Sequence, residues 1–308
     1  MTPHFSANLI ADLIDMWAQP FMVNAFRAVT VVSLLSATIG VLLVIRREAF
    51  VGHTLSVIGL PGASGAVYAG WPPAAGYYLA AGVGVLILRS RRDSSGLRYA
   101  DENATVGTFQ AVALATGLLF ISLYKGFLGG TSTLLFGSIL GITDGEVLLL
   151  SLIATAVVLC AVLLWRPLVF VSLDPIVASS RGVRVNALNL AFLTLLAVTA
   201  ASVAQITGAL LVFGLLVLPA ASAQLVTVRP ARTVAVALLF ALLVGWSALF
   251  AAYYTEYPVG FWLTSIAFGG YVLLRVGARL VGDGPHVARS RGARLDSARS
   301  HGARLDSA

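Results

Sequence analysis

No aspartate, glutamate, lysine or arginine occurs between Glu48 and Arg89, a stretch of 40 residues, and Val185 to Val228 is a second such stretch of 44. As helix, at about 1.5 Å per residue, each is roughly twice as long as the ~30 Å that one membrane crossing requires. Each must therefore cross, turn and cross again. The composition excludes an ordinary soluble domain: 58% of the 308 residues are hydrophobic and 11% charged, where about a quarter charged is usual. The expected fold class is an all-α polytopic membrane protein, a lipid-embedded chain rather than a nucleic-acid binder in spite of its net charge of +7.

Nine apolar segments are candidate spans: 24–45, 51–70, 75–88, 105–124, 146–165, 186–204, 206–226, 233–254 and 259–279. Merging one closely spaced pair would leave eight. The first long stretch turns at Gly70-Trp71-Pro72-Pro73 and the second near Gln205-Ile206-Thr207-Gly208, glycine and proline being the usual punctuation. A tenth piece, Thr131 to Ile142, is too short to cross and is expected to be a re-entrant or interfacial helix. Arginines follow the odd-numbered spans: Arg46 and Arg47, then Arg89, Arg91, Arg92 and Arg98, then Arg166, Arg181 and Arg184, then Arg229 and Arg232, then Arg275 and Arg279. Alternating crossings put all of them on one side, which the positive-inside rule makes the cytoplasm. The opposite loops carry Lys125, Asp144, Glu146 and Glu256. The expected layout is an extracytoplasmic segment over 1–23, a transmembrane domain over 24–280 and a cytoplasmic tail over 281–308. No basic region opens the chain, so no cleavable signal peptide is expected. The tail ends in a tandem ten-residue repeat, residues 289–298 and 299–308, matching at nine of ten positions. It has no apolar face and is expected to be disordered and solvated.

Few residues carry chemistry. The single cysteine, Cys160, excludes an internal disulfide and a cysteine metal cluster. The only lysine, Lys125, has no Gly-x-x-x-x-Gly-Lys-Ser/Thr loop around it, so any ATP hydrolysis belongs to another chain. Gly62-Ala63-Ser64-Gly65 resembles the surroundings of an intramembrane serine nucleophile. Its one candidate base, His53, lies eleven residues earlier, about 16 Å along a straight helix, and close packing of small residues accounts better for the string. His53 itself is an ionisable group in a span and by default a functional candidate; reaching headgroups from near the helix end is the plainer reading. Proline interrupts two apolar segments, at Leu60-Pro61-Gly62 and Leu218-Pro219, and paired interrupted helices point to a substrate path, though a kink alone is common. Asp174-Pro175 reads as an N-cap followed by proline at the first helical position, and Gly182 as a stop. They bound a short helix that is either a plain connector or a docking element.

Four stretches together resemble the permease subunits of bacterial ABC importers for divalent metals, the zinc, manganese and iron group (the ABC-3 family). They are Arg46 through His53 and Ser56 to Pro61-Gly62, Leu135 to Gly141, Asp174-Pro175 to Gly182-Val183, and Gln205-Gly208 to Leu218-Pro219-Ala220-Ala221. The family commonly has Asp and His four residues apart on one face of the second span; here those positions hold His53 and Val57. A second acidic stretch of the family, Glu-Asp-Thr-Ala-Ile-Gly, reads Glu102-Asn103 to Val106-Gly107 here.

The resemblance implies a bacterial inner-membrane permease that is not itself an enzyme and holds no covalent cofactor, and the arginine pattern puts its N-terminus outside and its C-terminus in the cytoplasm. It implies a permease homodimer, an ABC ATPase subunit carrying the ATP, an extracytoplasmic metal-binding protein, and zinc ahead of manganese as the transported ion. His53, Ser56 and Gln205 would be polar groups of the path, with His53 a metal ligand. Pro61, Gly62 and Pro219 would break helices. Asp174, Pro175, Arg181, Gly182 and Val183 would meet the ATPase. The rival expectation, a stand-alone secondary transporter of a small cation or solute, calls for intramembrane carboxylates, which the spans lack away from their ends.

Overall fold

A computed structural model of the chain describes residues 15–94, 99–123, 137, 139–209, 211–227, 229–255 and 257–280. Among these residues every regular element is helical. In chain order they are α1 (Pro20–Ile45), α2 (Ala49–Tyr68), α3 (Pro73–Ser94), α4 (Tyr99–Leu123), a 3₁₀ turn (Ile139–Gly141), α5 (Asp144–Leu163), α6 (Trp165–Leu173), α7 (Pro175–Ser180), α8 (Val185–Thr207), α9 (Val212–Leu216), α10 (Leu218–Val226), α11 (Pro230–Tyr254) and α12 (Val259–Leu280). Six of them, α1, α2, α5, α8, α11 and α12, are long and apolar enough to cross a membrane. Three shorter apolar stretches, Pro73–Arg89, Gly107–Leu123 and Val212–Val226, fall on the remaining three expected spans.

Helix α1 is the hub. It is buried along most of its length and packs against α5, α8, α10 and α11. Its small residues make this approach feasible: a Cβ on Gly40 would lie 2.2 Å from the Leu216 carbonyl oxygen, and one on Gly245 of α11 would lie 2.3 Å from Val29. Without a hydrophobic drive between helices in lipid, close backbone contact and dispersion hold such a bundle together. The most exposed spans are α5 and α12, at the periphery. The start of α5 is fixed locally by a capping box, in which the Glu146 amide donates to Thr143 Oγ and the Thr143 amide donates to the Glu146 carboxylate.

Helices α2, α3 and α4 form a second packed unit. Gly62 and Gly76 meet back to back, where a Cβ on either would sit within 2.3 Å of the other's carbonyl oxygen. Here one expectation is corrected: α2 does not break at Pro61-Gly62 but runs unbroken from Ala49 to Tyr68 with Pro61 inside it. Proline removes one backbone donor, and membrane helices tolerate this where neighbouring helices hold the segment. Gly117 of α4 presses against Leu60 and Pro61, with Gly76 of α3 closing on Gly62. The break expected at Pro219 is present. The seventh span is two pieces, α9 and α10, parted at Val217, with Pro219 in the first turn of α10.

The turn expected near Gly208 also forms, Gly208 taking φ +81° at the end of α8. Of the expected short helix over 131–142, the described part is the turn Ile139–Gly141 and Gly137, whose φ of +84° lets it lie against the Ile206 carbonyl. Residues 131–136, Lys125, Glu256, the segment 1–14 and the tail 281–308 lie outside the described residues. An additional helix not expected from the sequence, α6, joins α5 to the short helix α7.

Candidate functional site

His53 stands one turn into α2, half-buried, with its ring edge-on to Phe213 of α9 at 5.9 Å between centroids. Its Nδ1 is buried and has no hydrogen-bond partner among the described residues. It sits where Gly52 lets α2 close on Leu43 of α1 and Leu216 of α9, so the imidazole borders the broken seventh span. Ser56 is fully buried and its hydroxyl donates to the Gly52 carbonyl at 2.9 Å. Ser64 is likewise spent within α2, donating to the Leu60 carbonyl at 2.8 Å, so it is not paired with His53 as a nucleophile would be.

Gln205 lies elsewhere, near the end of α8, beside the hydroxyl of Tyr78 on α3. The Tyr78 and Ser202 oxygens are 3.1 Å apart. Because the Ser202 proton is already donated to the Val198 carbonyl, Tyr78 is the donor of that pair. Gln205 Nε2 is buried without a partner among the described residues. The sequence does not single out Tyr78 and Ser202; the one signal is a phenol inside a charge-free stretch, which periodicity alone does not distinguish from packing. Among the described residues no hydrogen bond joins His53, Ser56 and Gln205, and no group of three or more His, Cys, Asp or Glu gathers around one point. His53 thus borders α9, and Gln205 belongs to a separate cluster of oxygen and amide groups between α3 and α8; further buried polar side chains, among them Ser33 and Ser36 of α1 and Ser222 of α10, lie elsewhere in the spans.

The second candidate site is α7. Asp174 caps it, its Oδ1 accepting from the amides of Ile176 at 3.1 Å and Val177 at 2.9 Å, and Pro175 occupies the first turn. The chain leaves through Gly182 at φ +76°. Arg181 and Gly182 are exposed and Val183 half-buried. The helix presents Ile176 outward, 79% exposed, and Leu173 at the end of α6 just before it is 71% exposed.

The third feature is hidden in the sequence, because arginines beside spans serve first as topology signals. Arg46, at the end of α1, is drawn inward: its side chain is 7% exposed, its Nε pairs with Glu48 Oε1 at 3.3 Å, and it donates to Ser172 of α6 and Asn189 of α8.

The ABC 3 transport family pattern matches residues 18–276. A chelated iron transport system membrane protein of Yersinia pestis is 31% identical over 254 residues, 80% of this chain and 83% of that protein. A manganese import system permease protein of Streptococcus parasanguinis is 28% identical over 225 residues, 70% of this chain and 76% of that one. In fold, the chain is similar to PsaBC from Streptococcus pneumoniae, solved in complex with Fab, with a TM-score of 0.78 at 22% identity over 86% of this chain and 95% of that one. The capped helix between spans, the broken seventh span and this match over nearly the whole transmembrane region lead to one assignment: the chain belongs to the ABC 3 transport family, as a multi-pass membrane permease that is not itself an enzyme.

Proposed function

We propose that the chain is the membrane-spanning subunit of an ATP-driven importer of a divalent metal ion, manganese or iron ahead of zinc. The observation that carries the reading is α7, a capped helix between spans, where Ile176 and the preceding Leu173 of α6 face outward and none of the described residues covers them. Such a knob suits the cleft of a separate ATPase, with Asp174 and Pro175 holding its start and Arg181, Gly182 and Val183 its exit. An extracytoplasmic binding protein would deliver the ion and a second copy of the chain would complete the path. The arginine-rich loops would lie in the cytoplasm of a bacterial inner membrane.

Zinc, the first expectation, gives way. The relatives' names speak of manganese and chelated iron, and a lone imidazole with phenol, hydroxyl and amide oxygens suits harder ions than the thiolate and imidazole sets zinc favours. In this reading His53 and Gln205 meet the ion, at separate depths, and Ser56 supports the wall with its hydroxyl bound to Gly52. The stand-alone secondary transporter loses its ground with the family match.

Isolation of the chain in mild detergent from its host tests the reading. Recovery with a Walker-A ATPase in equal amount, and ATP-dependent uptake of manganese(II) by vesicles of the complex, is the expected result. A chain that transports alone overturns it.

A further inference from the structure

We propose that Arg46 is a positioning residue that makes the α7 docking helix and the His53-bearing helix α2 move as one body; the inference rests on the importer reading above. The Arg46 guanidinium sits in a buried junction of three chain segments. Its Nε is 3.3 Å from Glu48 Oε1, and it donates to Ser172 Oγ at 3.4 Å and to the Asn189 side-chain oxygen. Its Cζ also lies 4.3 Å over the Phe192 ring. Ser172 donates its own proton to the Leu168 carbonyl, so toward Arg46 it is an acceptor, as a permanent cation requires.

The placement of these partners gives the junction its function. Ser172 lies two residues before the Asp174 cap of α7, and Asn189 lies in the opening turns of α8, just beyond the Gly182 exit. Both flanks of α7 are thus bound to one guanidinium. On the other side, Arg46, Arg47 and Glu48 form the turn between α1 and α2. Arg47 takes φ 58° and the Glu48 carbonyl accepts from the amides of Val51 and Gly52, so Glu48 opens α2. His53 follows Glu48 by five residues, about 7.5 Å along the helix. The planar fork of arginine binds several acceptors in fixed directions, which a flexible ammonium does not. Displacing α7 toward or away from an ATPase therefore pulls on the first turn of α2, next to His53. Coupling of this kind needs a contiguous rigid path between two sites, and the Arg46 junction supplies one.

The test uses the permease–ATPase complex in vesicles, with manganese(II) as the probe, recording uptake and ATP hydrolysis together. In Arg46→Met, hydrolysis stays within about twofold of the parent while manganese taken up per ATP falls at least about fivefold, the range of ordinary coupling factors. Arg46→Lys keeps a cation beside Glu48 but not the fork and lands between the two. Because removing one partner of a buried ion pair is harmful in itself, Arg46→Met is also made with Glu48→Gln, and Asn189→Ala removes the α8 arm with the ion pair intact. The same fall in uptake per ATP is expected in both. A parallel loss of hydrolysis and uptake, no change in their ratio, or failure of all four variants to assemble with the ATPase overturns the proposal and leaves the junction a packing feature. A parent complex without ATP-dependent uptake sinks the importer reading instead.

Discussion

At the scale of single residues, His53 and the packing glycines make opposite predictions for function and stability. Among the described residues His53 has an unpartnered buried nitrogen and, in holding α2 to its neighbours, an edge contact with Phe213. His53→Ala is expected to cut manganese(II) uptake to a small fraction of the parent's while the melting temperature in detergent hardly moves; unchanged uptake would remove His53 from the path. Gly62 is the reverse case. A Cβ there would stand 2.3 Å from the Gly76 carbonyl oxygen and 2.4 Å from Ala80. Gly62→Ala must push α2 and α3 apart, and overpacking of this sort costs about 1–3 kcal/mol. Gly82, on the same α3, has nothing within 4 Å of its added Cβ. Gly82→Ala is expected to be neutral or to stabilise by about 0.5–1 kcal/mol, since alanine loses less backbone freedom in a helix. Thermal melts of the two purified variants, shifting in opposite senses, check the pair.

At the scale of elements, α7 is too short to stand on propensity alone and depends on its caps. Asp174→Ala removes acceptors for the Ile176 and Val177 amides, a loss of about 1 kcal/mol. If α7 is the docking element, that local loss has an outsized consequence: recovery of the ATPase with the chain drops several-fold in Asp174→Ala and is regained in Asp174→Asn, because asparagine caps as well as aspartate. Equal recovery in all three would show that α7 does not carry the contact. The divided seventh span is the other element built for change. Gly208 turns the chain at one end and the α9–α10 junction interrupts it within, where the Val217 amide still donates to the Phe213 carbonyl and the Ala221 amide to the Val217 carbonyl, while Pro219 has no amide proton to give. In lipid such irregular backbone is tolerated where protein or a wet cavity receives it.

At the scale of the whole molecule, the charge pattern predicts an orientation. With alternating crossings the arginine clusters fall at one end of the helices; at the other, the exposed pair Arg27 and Asp144 at 3.9 Å offsets a span arginine that departs from the pattern. A pair that open to solvent contributes little stability, but it leaves that end without net positive charge. In a Cys160→Ala background, a cysteine at Gly145 is expected to react with a membrane-impermeant maleimide on intact spheroplasts, and one at Arg181 only after permeabilisation. The opposite pattern would invert the topology and move α7 away from any cytoplasmic ATPase.

Much of the architecture is legible in the amino-acid sequence alone. Span positions follow from charge-free stretches near 20 residues each, because lipid penalises charge and open backbone regardless of what surrounds the helix. The turns at Gly70 and Gly208 and the capped helix at Asp174 follow from local backbone chemistry, which neighbouring residues decide. Three things required the folded molecule. Pro61 and Pro219 look alike in sequence, yet α2 continues through Pro61, held there by Gly76 of α3 and Gly117 of α4, whereas the seventh span divides just before the buried Pro219. Tyr78 joins Ser202 across more than a hundred residues, and Arg46 turns inward to Ser172 and Asn189 instead of to headgroups. Such partners are chosen by which helices lie side by side. Nearly uniform apolar sequence says that a helix will be in the membrane, but it does not say which neighbour each face will meet.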